Sequence, residues 1–207
     1  MKRIFFLLIL SFYVFASYGQ KGKELIKEGK ERLGKGEIME AITSFNRAID
    51  MDSSLYQAFY LRGLAKVQLE DMHGAMKDFN YSILIKDNYA EAYYSRGNVK
   101  FLLQDYYGAI EDYSKTIYLD ADNIEAYFQR GKAKQQLSAY EDAINDCSKI
   151  LEMNPKNVDA YYLRGVLRIE FGKMKDGCLD LSKAGELGDI KAYDIIRNKC
   201  NSNVKEH

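Results

Sequence analysis

The sequence predicts an all-α protein built as an array of helical hairpins, and two observations carry that prediction. Glycine returns every 34 residues, at Gly29, Gly63, Gly97, Gly131 and Gly165. A small residue follows each of these glycines twelve positions later, at Ala41, Ala75, Ala109, Ala143 and Gly177. A period of this length is typical of helix pairs stacked in series. Such arrays bind other proteins far more often than they catalyse reactions.

The repeated glycine needs a common physical reason. Glycine inside a helix costs about 1 kcal/mol relative to alanine. We expect each glycine to lie on the first helix of its pair and to face the small residue on the second. The missing side chain then lets the two backbones approach closely.

The elements of one repeat can be read directly. In the third repeat, residues 91–104 have a helical composition, Asp105 interrupts the pattern, and residues 106–119 form a second amphipathic helix. Residues 120–122 are the turn into the next repeat. Pro155, the single proline, lies in the matching turn of the fourth repeat, where it ends a helix without breaking one.

Large side chains recur in register with the glycines. Four residues before each glycine stand Leu25, Phe59, Tyr93, Tyr127 and Tyr161, and sixteen after stand Phe45, Phe79 and Tyr113, with Cys147 and Leu181 as departures. On these residues the chain resembles tetratricopeptide repeat (TPR) proteins over residues 22–191. The resemblance implies antiparallel helix pairs stacked in a right-handed superhelical solenoid. Its concave groove would be lined by the first helix of each pair.

The domain organisation follows from this register. The predicted repeats are residues 22–55, 56–89, 90–123, 124–157 and 158–191, within an array spanning residues 20–200. A capping helix is expected at about residues 190–200, because the pattern of the next repeat begins but no second helix follows. Residues 201–207 have no apolar stripe and are expected to be a disordered tail.

The N-terminus predicts a secretory signal peptide over residues 1–19. Lys2 and Arg3 precede a twelve-residue apolar stretch, residues 4–15, interrupted by one serine. That stretch is short for a membrane span. We expect cleavage after Gly19, which makes Gln20 the first residue of an exported, periplasmic or secreted chain. The alternative is an uncleaved anchor. A lipoprotein is not expected, since no cysteine lies near the cleavage point.

The charge argues against a nucleic-acid partner. The 30 basic and 30 acidic residues become 28 and 30 once Lys2 and Arg3 are removed. A net charge near −2 leaves no basic footprint for a phosphate backbone. The lysine-rich opening, at Lys21, Lys23, Lys27 and Lys30, is interpreted as a solvated polar cap on the first helix.

A second pattern joins arginine and aspartate in four repeats. The Arg/Asp ladder comprises Arg62, Arg96, Arg130 and Arg164, each followed sixteen residues later by Asp78, Asp112, Asp146 and Asp180. The first repeat lacks both residues. Because the arginine and the aspartate are present together in four repeats and absent together from the first, we interpret them as partly buried ion pairs. The planar guanidinium suits this role because it can bind a carboxylate through two hydrogen bonds. A row of anion-binding sites is the alternative. Lys66, Lys100, Lys134 and Arg168 lie one turn further along and could join the network.

The family resemblance also implies a partner-binding groove. The residue immediately after each of Phe59, Tyr93, Tyr127 and Tyr161 is aromatic. In this family, that position and the positions four and seven residues later face the groove. The predicted groove residues are Tyr60, Leu64, Val67, Tyr94, Asn98, Phe101, Phe128, Lys132, Tyr162 and Val166, with Glu91, Glu125 and Asp159 along one rim. The alternative is that these side chains merely pack on neighbouring repeats.

No pattern of catalytic or metal-ligating residues stands out. The two histidines, His73 and His207, have no cysteine, serine or carboxylate at a suitable spacing, and the glycines form no phosphate loop. We therefore expect no enzyme, no metal and no cofactor. The predicted function is an exported scaffold that binds a protein or peptide. A glycan-binding module that uses the tyrosines as stacking platforms is the alternative.

The three cysteines are assigned from the expected packing of the cap. Cys147 replaces a large core residue and is predicted to be buried and free. A cap antiparallel to the helix it covers brings Cys200 opposite Cys178. The sequence therefore predicts a Cys178–Cys200 disulfide, with two separate thiols as the alternative.

Overall fold

The computed structural model describes residues 20–200, and within that range the chain is helical, with no strand. The predicted signal peptide, residues 1–19, and the predicted tail, residues 201–207, lie outside the described residues. The chain forms two compact units, Met1–Val99 and Lys100–His207, which divide within one helix.

The described part of the chain alternates between the first and second helices of successive repeats, called A and B helices below. In chain order the helices are α1 (20–34), α2 (Ile38–Met51), α3 (Tyr56–Gln68), α4 (Met72–Ile85), α5 (Ala90–Leu102), α6 (Tyr106–Leu119), α7 (Ile124–Gln136), α8 (Tyr140–Met153), α9 (Val158–Glu170), α10 (Met174–Glu186) and α11 (Ile190–Ile195). A short π-helix, Ile196–Cys200, follows. Odd-numbered helices up to α9 are A helices. Within the compact units, neighbouring helices pack together both within a repeat, as α3 with α4, and between repeats, as α8 with α9.

Side-chain caps fix where several helices begin. Asp71, Asp105, Asn123, Asn157 and Asp189 each accept a hydrogen bond from a backbone N–H of the first turn that follows. Such a bond satisfies a donor that has no partner within the helix and contributes about 1 kcal/mol. The capping residues therefore set the register of the repeat from one hairpin to the next.

A left-handed residue closes each A helix. The position recurs every 34 residues, at Gly36, Glu70, Gln104, Ser138 and Gly172, with φ between 57° and 83°. This conformation costs a residue with a side chain about 1–2 kcal/mol. Because only the first and last of these positions carry glycine, the sequence pattern does not reveal this turn.

The repeated glycines also face a large side chain of the B helix, which the prediction did not include. A Cβ added at Gly63 would lie 2.7 Å from Cε1 of Phe79, and one added at Gly165 would lie 2.8 Å from Cγ of Leu181. These partners are the large residues sixteen positions on, not the small residues twelve positions on. In the last two repeats a backbone carbonyl of the small residue is also near, as predicted. A Cβ added at Gly131 would lie 3.6 Å from the carbonyl oxygen of Ala143, and one added at Gly165 would lie 2.9 Å from that of Gly177. The glycine therefore accommodates a large side chain of the B helix.

The fourth repeat provides a natural comparison for this packing. There the large residue is Cys147, and a Cβ added at Gly131 would have no neighbour closer than 3.6 Å. We expect Gly63→Ala to lower the free energy of unfolding by about 1–3 kcal/mol, because the methyl group overlaps the Phe79 ring. Gly131→Ala should raise it by up to about 1 kcal/mol, because alanine is the better helix former. Urea unfolding of both variants measures the difference, and equal losses would contradict this packing.

Candidate functional site

The predicted groove residues occupy matching positions on four A helices. Tyr60, Leu64 and Val67 lie on α3, Tyr94, Asn98 and Phe101 on α5, Phe128 and Lys132 on α7, and Tyr162 and Val166 on α9. All ten side chains are half-buried. Between them on the same helices lie fully buried alanines, such as Ala65 and Ala133. The predicted row is therefore more open than the core, but it is not fully exposed.

In the first compact unit, the predicted groove residues rest on the core of the second repeat. The Tyr60 ring lies 6.0 Å from the ring of Phe79 and 5.0 Å from that of Tyr89. Leu64 and Val67 pack against the cluster that contains Phe79. Tyr60 thus contacts both the core and a neighbouring tyrosine.

In the second compact unit, a lysine lies between two aromatic rings. The ammonium group of Lys132 is 5.5 Å from the ring centre of Phe101 and 5.9 Å from that of Phe128. Both distances suit a cation–π contact. Phe128 also packs against two core clusters, and Tyr162 and Val166 pack against a third. These aromatic side chains are therefore partly structural.

The Arg/Asp ladder has the same geometry in three repeats. Arg62 donates two hydrogen bonds to Asp78, through Nε at 2.9 Å and an Nη atom at 2.6 Å. Arg130 pairs in the same way with Asp146, and Arg164 with Asp180. The aspartates are buried and the arginines mostly so. Two parallel bonds between planar groups fix both distance and orientation.

The second cation of each repeat does join the network. Lys66 lies 2.8 Å from Asp78, Lys134 2.7 Å from Asp146, and Arg168 2.6 Å from Asp180. Each carboxylate is therefore shared by two cations on the A helix of its own repeat. Burial alone would lower the pKa of Arg164, but the hydrogen bond and the charge of Asp180 outweigh it and raise the pKa. The guanidinium remains charged.

Arg96 and Asp112 belong to different compact units. In the first, Arg96 donates to Oδ1 of Asn80 at 2.6 Å. In the second, Lys100 pairs with Asp112 at 2.9 Å. Both residues thus take part in the polar network of their own unit.

Each arginine of the ladder also donates a hydrogen bond to the preceding repeat, a contact that the sequence did not predict. One of its Nη atoms donates to the residue sixteen positions earlier, on the preceding B helix. The acceptors are Asn46, Asn80, Ser114 and Ser148, at distances between 2.6 and 3.1 Å. The arginine therefore joins two consecutive repeats. Because the acceptor is asparagine in two repeats and serine in the next two, the signal in the sequence was a shared spacing rather than a shared residue.

The end of the array is closed by α11, the π-helix and a disulfide. Cys178 on α10 is bonded to Cys200, with their Cα atoms 6.0 Å apart. The predicted capping helix is thus two elements, since the α-helix ends at Ile195 and the chain continues as a π-helix. A Cβ at Gly185 would lie 2.8 Å from the Tyr193 ring, so this ring packs closely on α10.

Cys147 is the free cysteine among the described residues, and it is fully buried on α8. Burial raises the pKa of its thiol to about 12, and the nearby Asp146 carboxylate adds to the effect. A neutral, enclosed thiol is a poor nucleophile.

The lysine-rich opening lines a cavity in the first compact unit. Lys23, Lys27 and Lys30 of α1 surround about 290 Å³, with Ile26 and Gln57 completing the wall. Lys27 lies 4.0 Å from Glu31, and both side chains are well exposed. These lysines are solvated, as expected for the first helix of an array.

Two further findings concern residues 20–200. In that part of the chain, no group of three histidine, cysteine, aspartate or glutamate residues is placed to hold a metal ion. None of the helices there has both the length and the apolar character needed to cross a membrane.

Comparison with known proteins agrees with this architecture. Tetratricopeptide repeat family models match residues 26–90 and 124–157, and a TPR repeat model matches residues 97–138. The chain is a tetratricopeptide repeat protein with the solenoid fold of that family. No curated protein gives a significant match.

Several solved structures share the fold. MamA from Desulfovibrio magneticus RS-1 is 20% identical, with a TM-score of 0.75, over 81% of this chain and 94% of that one. YrrB, described as a TPR protein with an unusual peptide-binding site, is 21% identical, with a TM-score of 0.77, over 89% and 97%. The first TPR of Spaghetti (RPAP3), bound to an HSP90 peptide, is 28% identical, with a TM-score of 0.57, over 58% and 95%.

Proposed function

We propose that this chain is an exported scaffold whose A-helix groove binds a peptide segment or partner protein in the cell envelope. The observation that carries the proposal is that, in each compact unit, half-buried aromatic side chains of the A helices lie beside fully buried alanines. Partly exposed aromatic rings held by a rigid framework are typical anchors of protein interfaces. Two proteins of the same fold, YrrB and RPAP3, are described with a peptide-binding site or a bound peptide.

The cell envelope is proposed from two independent features. The opening of the sequence has the charge, apolar stretch and small residues of a signal peptide. The Cys178–Cys200 disulfide suits an oxidising compartment, since disulfides are rare where thiols are kept reduced. Mass spectrometry of the protein purified from an envelope fraction tests this part. An N-terminus at Gln20 supports export, and an intact Met1 in a cytosolic fraction contradicts it.

The groove is tested by changes that keep apolar volume. We expect Phe128→Leu with Tyr162→Leu to weaken partner binding at least about tenfold, because each aromatic anchor contributes about 1–2 kcal/mol. Helix content and melting temperature should change little, because leucine still covers the core clusters beneath. Tyr107→Leu with Tyr118→Leu is the matched control, since these two tyrosines of α6 are 73% and 80% exposed.

The assay is capture by the immobilised mature chain from envelope extracts. A polypeptide retained by the wild type and the control, but lost from the groove variant, supports the proposal. Equal capture by all three proteins contradicts it. Retention of protein-free cell wall would instead favour the glycan-binding alternative. We propose no catalytic role for the chain.

A further inference from the structure

Three tyrosines and a lysine form a cluster at one end of the groove row in the first compact unit. The ring centres of Tyr56 and Tyr89 are 4.9 Å apart, and those of Tyr60 and Tyr89 are 5.0 Å apart, both edge to face. The ammonium group of Lys86 lies 4.6 Å from the Tyr56 ring centre and 5.3 Å from that of Tyr89. It also donates to the hydroxyl oxygen of Tyr56 at 3.1 Å. We call Tyr56, Tyr60 and Tyr89 the tyrosine cage.

We propose that the tyrosine cage is a binding site for a cationic side chain of the partner, an arginine or a lysine, which takes the place of Lys86. The inference rests on the proposed function only for the statement that the cation belongs to a protein. The chemistry of the cage stands by itself. Lys86 already shows that two of these rings, Tyr56 and Tyr89, hold an organic cation, with the phenol oxygen of Tyr56 as a further partner.

The repeat pattern shows that the array does not require the cage. The residues 34 positions from Lys86 are Asp52 and Asp120, and those from Tyr89 are Leu55 and Asn123. Tyr56 corresponds to Gly22, Ala90, Ile124 and Val158 in the other repeats. Three positions of the second repeat therefore depart from the array together, and all three meet at one place.

One of these departures changes a capping position. The asparagines that match Tyr89, Asn123 and Asn157, cap α7 and α9 by accepting a backbone N–H. A tyrosine side chain cannot make that short-range bond, so the residue at this position serves another purpose in the second repeat. A ligand-binding role accounts for an aromatic ring there.

The surroundings of the cage favour a positive charge. Burial raises the pKa of Tyr60 and of Tyr89, and the negative charge of Glu91, two residues along the chain from Tyr89, adds to the rise in both. The phenols stay neutral, so their ring faces and oxygens remain available to a cation. Glu91 itself is exposed at the start of α5 and can meet an incoming guanidinium.

Lys86 can leave the cage without disturbing a helix. It is the C-cap of α4, in an extended conformation, and its ammonium is carried by a flexible four-carbon stem. Tyr60, the third member of the cage, belongs to the predicted groove row, so the cage is continuous with the groove face of α3. A guanidinium brings five donors and a plane that stacks on aromatic rings, which a lysine ammonium does not.

The test uses the mature protein labelled with 3-fluorotyrosine and followed by ¹⁹F NMR. The probe is N-acetyl-arginine methylamide, and the control is the citrulline analogue, which has nearly the same shape and no charge. We expect arginine to shift the Tyr56, Tyr60 and Tyr89 signals saturably and citrulline to leave them unchanged. Tyr89→Asn, which installs the residue found in later repeats, should abolish the response.

A second variant separates the proposal from a purely structural role of Lys86. Lys86→Gln removes the internal competitor, so arginine should bind about threefold or more tightly than to the wild type. If Lys86→Gln only lowers the melting temperature, or if arginine and citrulline act alike, the proposal is wrong. Arginine binding without capture of an envelope polypeptide would contradict the proposed function and leave the cage supported. Capture of an envelope polypeptide without arginine binding would contradict the proposal for the cage alone.

Discussion

Replacing Asp146 with alanine should lower the free energy of unfolding by about 3–5 kcal/mol, the largest effect expected of one substitution in this chain. Asp146 is buried and accepts hydrogen bonds from Arg130 at 3.0 and 2.7 Å and from Lys134 at 2.7 Å. Without the carboxylate, two mostly buried cations face each other with no counter-charge. Ser114 and a backbone carbonyl remain as acceptors, but neither carries a charge.

The same helix supplies a matched control. Glu152 pairs with Lys149 at 2.8 Å on α8, but both side chains are about half exposed or more. Exposed pairs contribute little because water already solvates both charges and salt screens them. Urea unfolding should therefore show almost no change for Glu152→Ala. A small loss for Asp146→Ala would show that water reaches the ladder and that its geometry does not stabilise the array.

Reduction of the Cys178–Cys200 disulfide should destabilise the end of the array by about 3 kcal/mol in the chain-entropy treatment. The bond closes a loop with a sequence separation of 22 residues. It also holds the π-helix and the six-residue α11, which are too short to be stable alone. We expect a lower melting temperature in dithiothreitol and faster proteolysis after residue 189.

The control for that experiment lacks the bond from the start. A Cys178→Ser, Cys200→Ser variant should melt at the reduced temperature and show no response to dithiothreitol. Thiol counting on denatured, unreduced wild type should give one free thiol, that of Cys147. Three free thiols would contradict the disulfide.

Periodic features were accessible from the sequence because the same contact is made in each repeat. The second helix of the third repeat was predicted at residues 106–119, the bounds of α6. The same 34-residue register predicted that each arginine of the ladder pairs with the aspartate sixteen residues later. It also predicted a cap antiparallel to the helix it covers. The disulfide could be inferred because a short cap leaves few positions for Cys200.

Other features could not be predicted, for physical reasons. The glycine pattern showed that a neighbouring group packs closely against each glycine. It did not show whether that group is Ala75 or Phe79, since both positions recur every 34 residues with the glycine. The turn that ends each A helix tolerates Glu70 or Ser138 in a left-handed conformation, so no glycine marks it. The tyrosine cage occurs in one repeat only, and a contact made once leaves no period to detect.

Site-specific photocrosslinking in the envelope fraction tests the central claim most directly, that the groove row binds a polypeptide. The crosslinker benzoylphenylalanine would replace Tyr162, half-buried on α9, or, as a control, Tyr118, which is 80% exposed on α6. The account predicts an adduct at position 162 that peptide sequencing maps to one segment of one partner, with no such adduct at position 118. Equal labelling at both positions, or adducts that contain only carbohydrate, would contradict it.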